Sequence, residues 1–173
     1  MKKIILFILL AVCVTAPIFS TQVESKKPLQ LVLSDEEKGV TWYNFTDGYN
    51  KAVKEGKIIL IDAYTDWCGW CKVMDKKTYT DAGVIEVLNR NFVCVKLNPE
   101  QNVEYTFGDK TMKADVLLQF LGSGQVTGYP STIFWPNPAT NQQRYLQAGY
   151  MGPSDFLALL DAAIQKGKEI KSN

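Results

Sequence analysis

The run IILIDAYT, residues 58–65, is apolar almost without interruption and is followed at once by WCGWCK. An unbroken apolar stretch of strand length belongs in a sheet with both faces covered, where neither side of the strand meets water. That demand fixes the class before any other residue is read. The chain must place layers of structure above and below a sheet. It also makes Asp62, a single acid inside the run, an expensive residue to keep there.

The neighbouring segments supply those layers. TDGYNKAVKEG, 46–56, reads as a short helix capped by Thr46 and stopped by Gly56. Helical composition resumes beyond Gly69, and Asp81 is a cap candidate for AGVIEVLNRN, whose Val84, Val87 and Leu88 share a face. FVCVKLN, 92–98, repeats the pattern of a buried strand. ADVLLQFLGSG, 114–124, reads as a helix ended by glycine. STIFW and QRYLQAG read as further strands, the second polar enough for a sheet edge. Ser154 is the cap candidate of a last helix carrying Phe156, Leu157, Leu160 and Ile164 on one face. Helices alternating with strands give an α/β sandwich around a mixed sheet. No internal repeat is visible.

The amino-terminal residues do not belong to this pattern. MKKIILFILLAVCVTAPIFS begins with two lysines and continues with an apolar run too short for a comfortable membrane span. Residues 1–20 are therefore expected to be a secretory leader. Pro17 would block a cut after Ala16, so cleavage is expected after Ser20. A rival reading makes Cys13 a lipidated residue, because LAVC resembles a bacterial lipoprotein signal, although Val12 departs from the small residue that signal carries. A leader left uncleaved would also hold the chain at a membrane. Residues 21–40 are polar apart from LQLVL and read as a linker with an edge strand, and 41–173 as the folded domain.

Of the 19 basic residues, Lys2 and Lys3 lie in the leader, so the remainder carries one more acid than base. No field of either sign is present to attract nucleic acid or an anionic surface. Export would place Cys68, Cys71 and Cys94 where disulfides persist.

The cysteine pair admits three readings: a structural disulfide, part of a metal site, or a redox centre. A structural zinc site needs four ligands, and the chain has no histidine and no second Cys-x-x-C. Met74 keeps a Cu(I) role open on ligand type alone. A bridge across so short a loop stabilises little in the chain-entropy model. The redox reading accounts better for the placement. A buried strand delivers Cys68 to a helix start, where free N–H groups and the dipole favour a thiolate. Cys71, one turn on, is expected to be the more buried and to act second. Trp67 is expected to screen the approach side. Trp67 and Trp70, with Tyr64 beside them, would either form an apolar platform for substrate or pack the helix start. Cys94, in a buried strand, is expected to pack as a small hydrophobe.

With these residues in view, the chain resembles the thioredoxin superfamily. ILIDAYTDWCGWCK follows the register of that family's active-site stretch, and VKLN, GYPST and Gly149 fall where the family carries further motifs. The resemblance covers roughly residues 40–167 and implies a three-layer sandwich, a central mixed sheet flanked by helices. It implies that Cys68 and Cys71 form a redox-active disulfide and that Asp62 handles the proton of Cys71. Lys96 would then pair with Asp62, and Tyr129–Pro130 would be a cis bond facing the cysteines and holding substrate backbone. DWCGWCKxMD and the long polar segment resemble more narrowly the exported domains related to disulfide-interchange reductases. Two departures remain. Trp70 stands where the family tunes its redox poise, so the direction of electron flow is not legible. The segment at about 99–127, containing EYTFGDK, reads as an insertion with no counterpart.

The implied activity is thiol–disulfide exchange on protein disulfides or dithiols outside the cytoplasm, in a periplasm or anchored by lipid. No metal and no cofactor beyond the cysteine pair is expected, and a separate redox partner must recycle it. The alternative is a binding or chaperone module on the same fold.

Overall fold

A computed structural model describes residues 39–140 and 143–172. The expected leader at 1–20, Cys13 and the LQLVL run lie outside these residues. The described residues belong to a compact unit spanning Glu36–Asn173.

The elements run β1 (Trp42–Tyr43), α1 (Phe45–Glu55), β2 (Ile58–Ala63), α2 (Gly69–Lys77), α3 (Ala82–Asn91) and β3 (Phe92–Leu97). They continue with β4 (Glu104–Phe107), β5 (Lys110–Lys113), α4 (Ala114–Leu121), β6 (Ser131–Trp135), β7 (Tyr145–Ala148) and α5 (Pro153–Ser172). Five strands form one mixed sheet in the order β1-β3-β2-β6-β7. β1, β3 and β2 are parallel, while β6 and β7 are antiparallel to their neighbours.

Every residue of β2 is buried, as its apolar run demands, and strand alternation sorts them between two cores. Ile59, Ile61 and Ala63 face a core shared with Phe45 and Ala52 of α1 and Leu117, Leu118 and Leu121 of α4. Ile58 and Leu60 face the other, with Met74 of α2, Val84 and Leu88 of α3, and Phe156 and Leu160 of α5. The sheet is therefore covered on both sides, and the molecule is the expected three-layer α/β sandwich. By the same alternation Asp62 points to the α2 side, together with Leu60.

Several local expectations are corrected. α1 is capped by Asn44, whose side chain accepts from the Asp47 amide; the Thr46 hydroxyl instead accepts from the Thr106 amide, 2.9 Å away. Gly56 does end that helix, with a φ of 63°. β2 stops at Ala63 rather than 65, since the chain turns so that the Cys68 amide reaches the Thr65 carbonyl. α5 begins at Pro153, before Ser154, and Pro suits the first helical position because its missing N–H would have had no partner there. β7 lies at the sheet edge, as its polarity suggested. The opposite edge is β1, a two-residue strand that the sequence reading did not contain.

The segment at 99–127 is not a bare loop. β4 and β5 form an antiparallel hairpin joined by Gly108 and Asp109, with Gly108 at a φ of 58°. A positive φ at the first central residue is the II′ pattern, which suits glycine and matches the strand twist. The hairpin turns Tyr105 and Phe107 into the α1–α4 core and leads directly into α4.

Candidate active site

Cys68 is the N-cap of α2, and its Sγ accepts a hydrogen bond from the Cys71 amide at 3.0 Å. The two sulfurs are bonded to each other, with Cα atoms 5.3 Å apart. The first turn of α2 carries no acid, so nothing on the helix neutralises its positive end before the sulfur does. In the reduced state that amide and dipole would lower the Cys68 thiol and favour thiolate. The expectation that Cys71 is the more buried of the two is corrected: both are 3% exposed. A cap residue held beneath flanking side chains is as shielded as one a turn further in.

On the α2 side of the sheet lies a charged centre, the pair Asp62 and Lys96. Asp62 is 1% exposed. Its Oδ2 is 2.5 Å from Lys96 Nζ, while Oδ1 finds no hydrogen-bond partner among the described residues. β2 and β3 set this pairing, because Asp62 and Lys96 are direct neighbours in the parallel register. Lys96 also reaches Asp75 Oδ1 at 2.5 Å, and Asp75 is open to solvent. The ammonium stands over three rings, Trp42 at 4.8 Å and Tyr64 and Tyr79 at 5.1 Å each. Those ring faces favour the cation.

Burial pushes the Asp62 carboxyl above the ordinary carboxylate range. The Lys96 charge and hydrogen bond work against that rise, and the charge of Asp75 adds to it. For Lys96 burial disfavours the charge, but Asp62 and Asp75 outweigh it and hold the ammonium above its usual value. The buried Tyr79 hydroxyl, also without a hydrogen-bond partner among the described residues, is held well up by burial and then by the charge of Asp62. Cys94 is a free thiol in the α2-side core, pushed far up by burial. It packs as a small hydrophobe, in line with the sequence reading.

Outside the pair the surface is aromatic. The Tyr129–Pro130 bond is cis. Neither the amide nor the carbonyl of Tyr129 is engaged by the described backbone, whereas the Pro130 carbonyl accepts from Gly149 at 2.8 Å. Trp70, Tyr129, Pro130, Gly149 and Tyr150 line a groove of about 280 Å³. Trp70 is 61% exposed and lies against Tyr150, with ring centroids 5.3 Å apart. Trp67 is 68% exposed; its indole N–H donates to Glu100 and its ring meets Tyr129 edge-on at 6.0 Å. Both tryptophan rings stand largely in solvent. Tyr64 is turned elsewhere, toward Lys96.

The structure thus groups Trp67, Trp70, Tyr129 and Pro130 around the start of α2, the helix that carries Cys68 and Cys71, and pairs Asp62 with Lys96 on the α2 side of the sheet. Sequence reasoning missed Trp42, Asp75 and Tyr79 around the lysine, and Glu100 and Tyr150 behind the tryptophans. Asp75 had a signal, since it stands one helical turn beyond Cys71. The others come together only through the fold. Among the described residues no group of His, Cys, Asp or Glu is arranged to hold a metal ion, and no helix is long and apolar enough to cross a membrane.

Comparison with known proteins agrees with this geometry. Residues 23–169 match the profile of the family described as Thioredox_DsbH, protein of unknown function, DUF255. The thiol:disulfide interchange protein DsbD of Colwellia psychrerythraea is 29% identical over 112 residues, 65% of this chain and 17% of that protein. Spermatogenesis-associated protein 20 of Mus musculus is 29% identical over 119 residues, 68% of this chain and 14% of that protein. The chain therefore spans less than a fifth of the length of these curated relatives. Among solved structures, a thioredoxin from Thermus thermophilus superposes with a TM-score of 0.60 at 20% identity, covering 74% of this chain and 89% of that one. The fold is that of the thioredoxins.

Proposed function

The chain belongs to the Thioredox_DsbH family, and on that premise we propose that it is an exported thiol–disulfide oxidoreductase acting on protein disulfides through Cys68 and Cys71. The observation that carries this reading is the position of Cys68. It caps α2 with its sulfur on the Cys71 amide, at a helix whose first turn carries no acid.

In the reductive direction the Cys68 thiolate attacks one sulfur of a substrate disulfide. A Cys68–substrate bond forms, and the second substrate sulfur leaves as a thiolate that takes a proton from water. Cys71 passes its proton to the Asp62 carboxylate and attacks Cys68 Sγ. The first substrate sulfur then leaves, two electrons have reached the substrate, and the Cys68–Cys71 disulfide is restored. A dithiol donor must return those electrons. In the opposite direction the same steps install a disulfide. A buried carboxyl raised above its usual range suits the proton role, since its basicity approaches that of the thiol it serves. The unengaged backbone of Tyr129 supports a role in holding an extended substrate segment. Export is supported by the basic, then apolar pattern of residues 1–20.

Insulin reduction by dithiothreitol tests the reading. The protein should accelerate it, and Cys68→Ser should remove the acceleration. A protein that binds unfolded chains yet shows no acceleration would be the binding module instead.

A further inference from the structure

The 99–127 segment takes no part in the chemistry above, yet it is rooted in the core and reaches Trp67 at its start. Tyr105 and Phe107 root its hairpin in the core, and the Ala114 amide donates to the Val103 carbonyl where the hairpin passes into α4. At its start Glu100 accepts the Trp67 indole N–H. The inner face of α4 is filled by Leu117, Leu118 and Leu121, which leaves Asp115, Val116 and Gln119 outward. Val116 is 51% exposed, an apolar side chain with no covering partner in the described chain.

A second pocket, of about 430 Å³, opens between Pro99, these α4 residues and Tyr129. Tyr129 is also a wall of the groove at Trp70 and Pro130, so the two depressions adjoin across a single side chain. An extended chain held at the Tyr129 backbone, which no described backbone group engages, would run from one into the other. The charges beside this pocket are acidic: Asp115 stands on its rim, and Glu100 is close enough to Tyr129 for its charge to act on the phenol. Among the described residues, no lysine or arginine lines it.

We propose that the Pro99–Val116–Tyr129 pocket is a second docking site for the substrate protein. It would receive an apolar side chain, with a lysine or arginine beside it, from the extended segment that bears the reacting cysteine. The insertion is then a specificity element, selecting among disulfides that Cys68 could attack equally well. This rests on the exchange activity proposed above. The apolar contact gives the segment its place, and the acids select its charge.

Two peptides test it, each with one cysteine in mixed disulfide with glutathione, one carrying a nearby Leu-Lys pair and the other Leu-Glu. At low salt the wild-type protein should turn over the basic peptide about threefold to fivefold better, through KM, as expected for an exposed charge contact. Asp115→Asn should remove that preference, and Val116→Ser should raise KM for both peptides. Bis(2-hydroxyethyl) disulfide, too small to reach the pocket, should be reduced at the same rate by all three proteins. Equal use of the two peptides by the wild type, or variants that lose rate on the small disulfide as well, would overturn the docking site. A wild-type protein that reduces neither the small disulfide nor insulin would overturn the exchange activity itself.

Discussion

The Lys96 ammonium stands 2.5 Å from Oδ2 of Asp62, with the carboxylate sealed from solvent and the lysine reaching outward to Asp75. This pairing softens the burial of Asp62 without cancelling it: Oδ1 has no partner among the described residues, and the carboxyl stays above its ordinary range. A carboxyl raised in the folded state binds its proton more tightly there than in the unfolded chain. Its ionisation therefore destabilises the fold. The penalty is absent below the ordinary carboxylate value and complete above the folded one. Asp62→Asn should be more stable than the wild type at pH 8, because the amide carries no charge to bury. Lys96 keeps Asp75 as its partner in that variant, so no bare charge is created. The gain should shrink toward pH 4, and urea melts at the two pH values read it. A loss of stability at both would remove Asp62 as a strained carboxylate.

Asp75 acts on the same centre from outside. Its charge adds to the rise of the Asp62 carboxyl, so its removal makes Asp62 easier to ionise. If Asp62 takes the Cys71 proton, the resolving step needs the ionised carboxylate and loses rate as pH falls. Asp75→Asn should move that acid limb to lower pH, while Asp62→Asn should lack the limb altogether. Rapid-mixing measurements of mixed-disulfide decay across pH read both. An acid limb that Asp75→Asn leaves in place would separate Asp75 from the proton path.

Much of this centre could be read from residue order because it is local. The apolar run, the single acid and the cysteine pair lie within fourteen residues, and strand and helix periods carry them to adjacent positions. Lys96 was legible through its motif. Its surroundings were not: Trp42 sits in a two-residue strand too short for any periodicity, and Tyr79 follows the end of α2. The same limit explains the insertion. β4 alternates exposed and buried residues over only four positions, too few to register against a polar background. The cap of α1 was misplaced for a different reason. Asn44 and Thr46 are both good caps, and Thr46 is drawn away by a contact with residue 106 that no local pattern contains.

The roles of the two cysteines separate in a trapping experiment. Cys71→Ser leaves Cys68 to attack a partner but removes the thiol that resolves the mixed disulfide, so disulfide-linked complexes should accumulate. Cys68→Ser should trap far fewer, since Cys71 lies a turn inside the helix and does not sit at its positive end. Non-reducing gels of the two variants after exposure to secreted proteins read the difference. Equal trapping would reverse or merge the roles.

The hairpin makes a last demand on the core. Phe107 is 6% exposed and meets Phe45, Tyr49, Phe120 and Trp135, with ring centroids between 5.4 and 6.3 Å. Four aromatic partners from α1, α4 and β6 converge on this side chain, so the insertion is integral to the α1-side layer rather than an attached loop. Phe107→Ala should cost about 3–5 kcal/mol, the range for a buried Phe truncated where its neighbours cannot close in. The disulfide belongs to the start of α2, and neither cysteine is among the residues of the core that Phe107 fills. Enough folded variant should therefore remain at low temperature to reduce bis(2-hydroxyethyl) disulfide at the wild-type rate. Urea melts and that rate together distinguish a core role from a catalytic one. A variant as stable as the wild type would mean that the hairpin rests on the core without completing it.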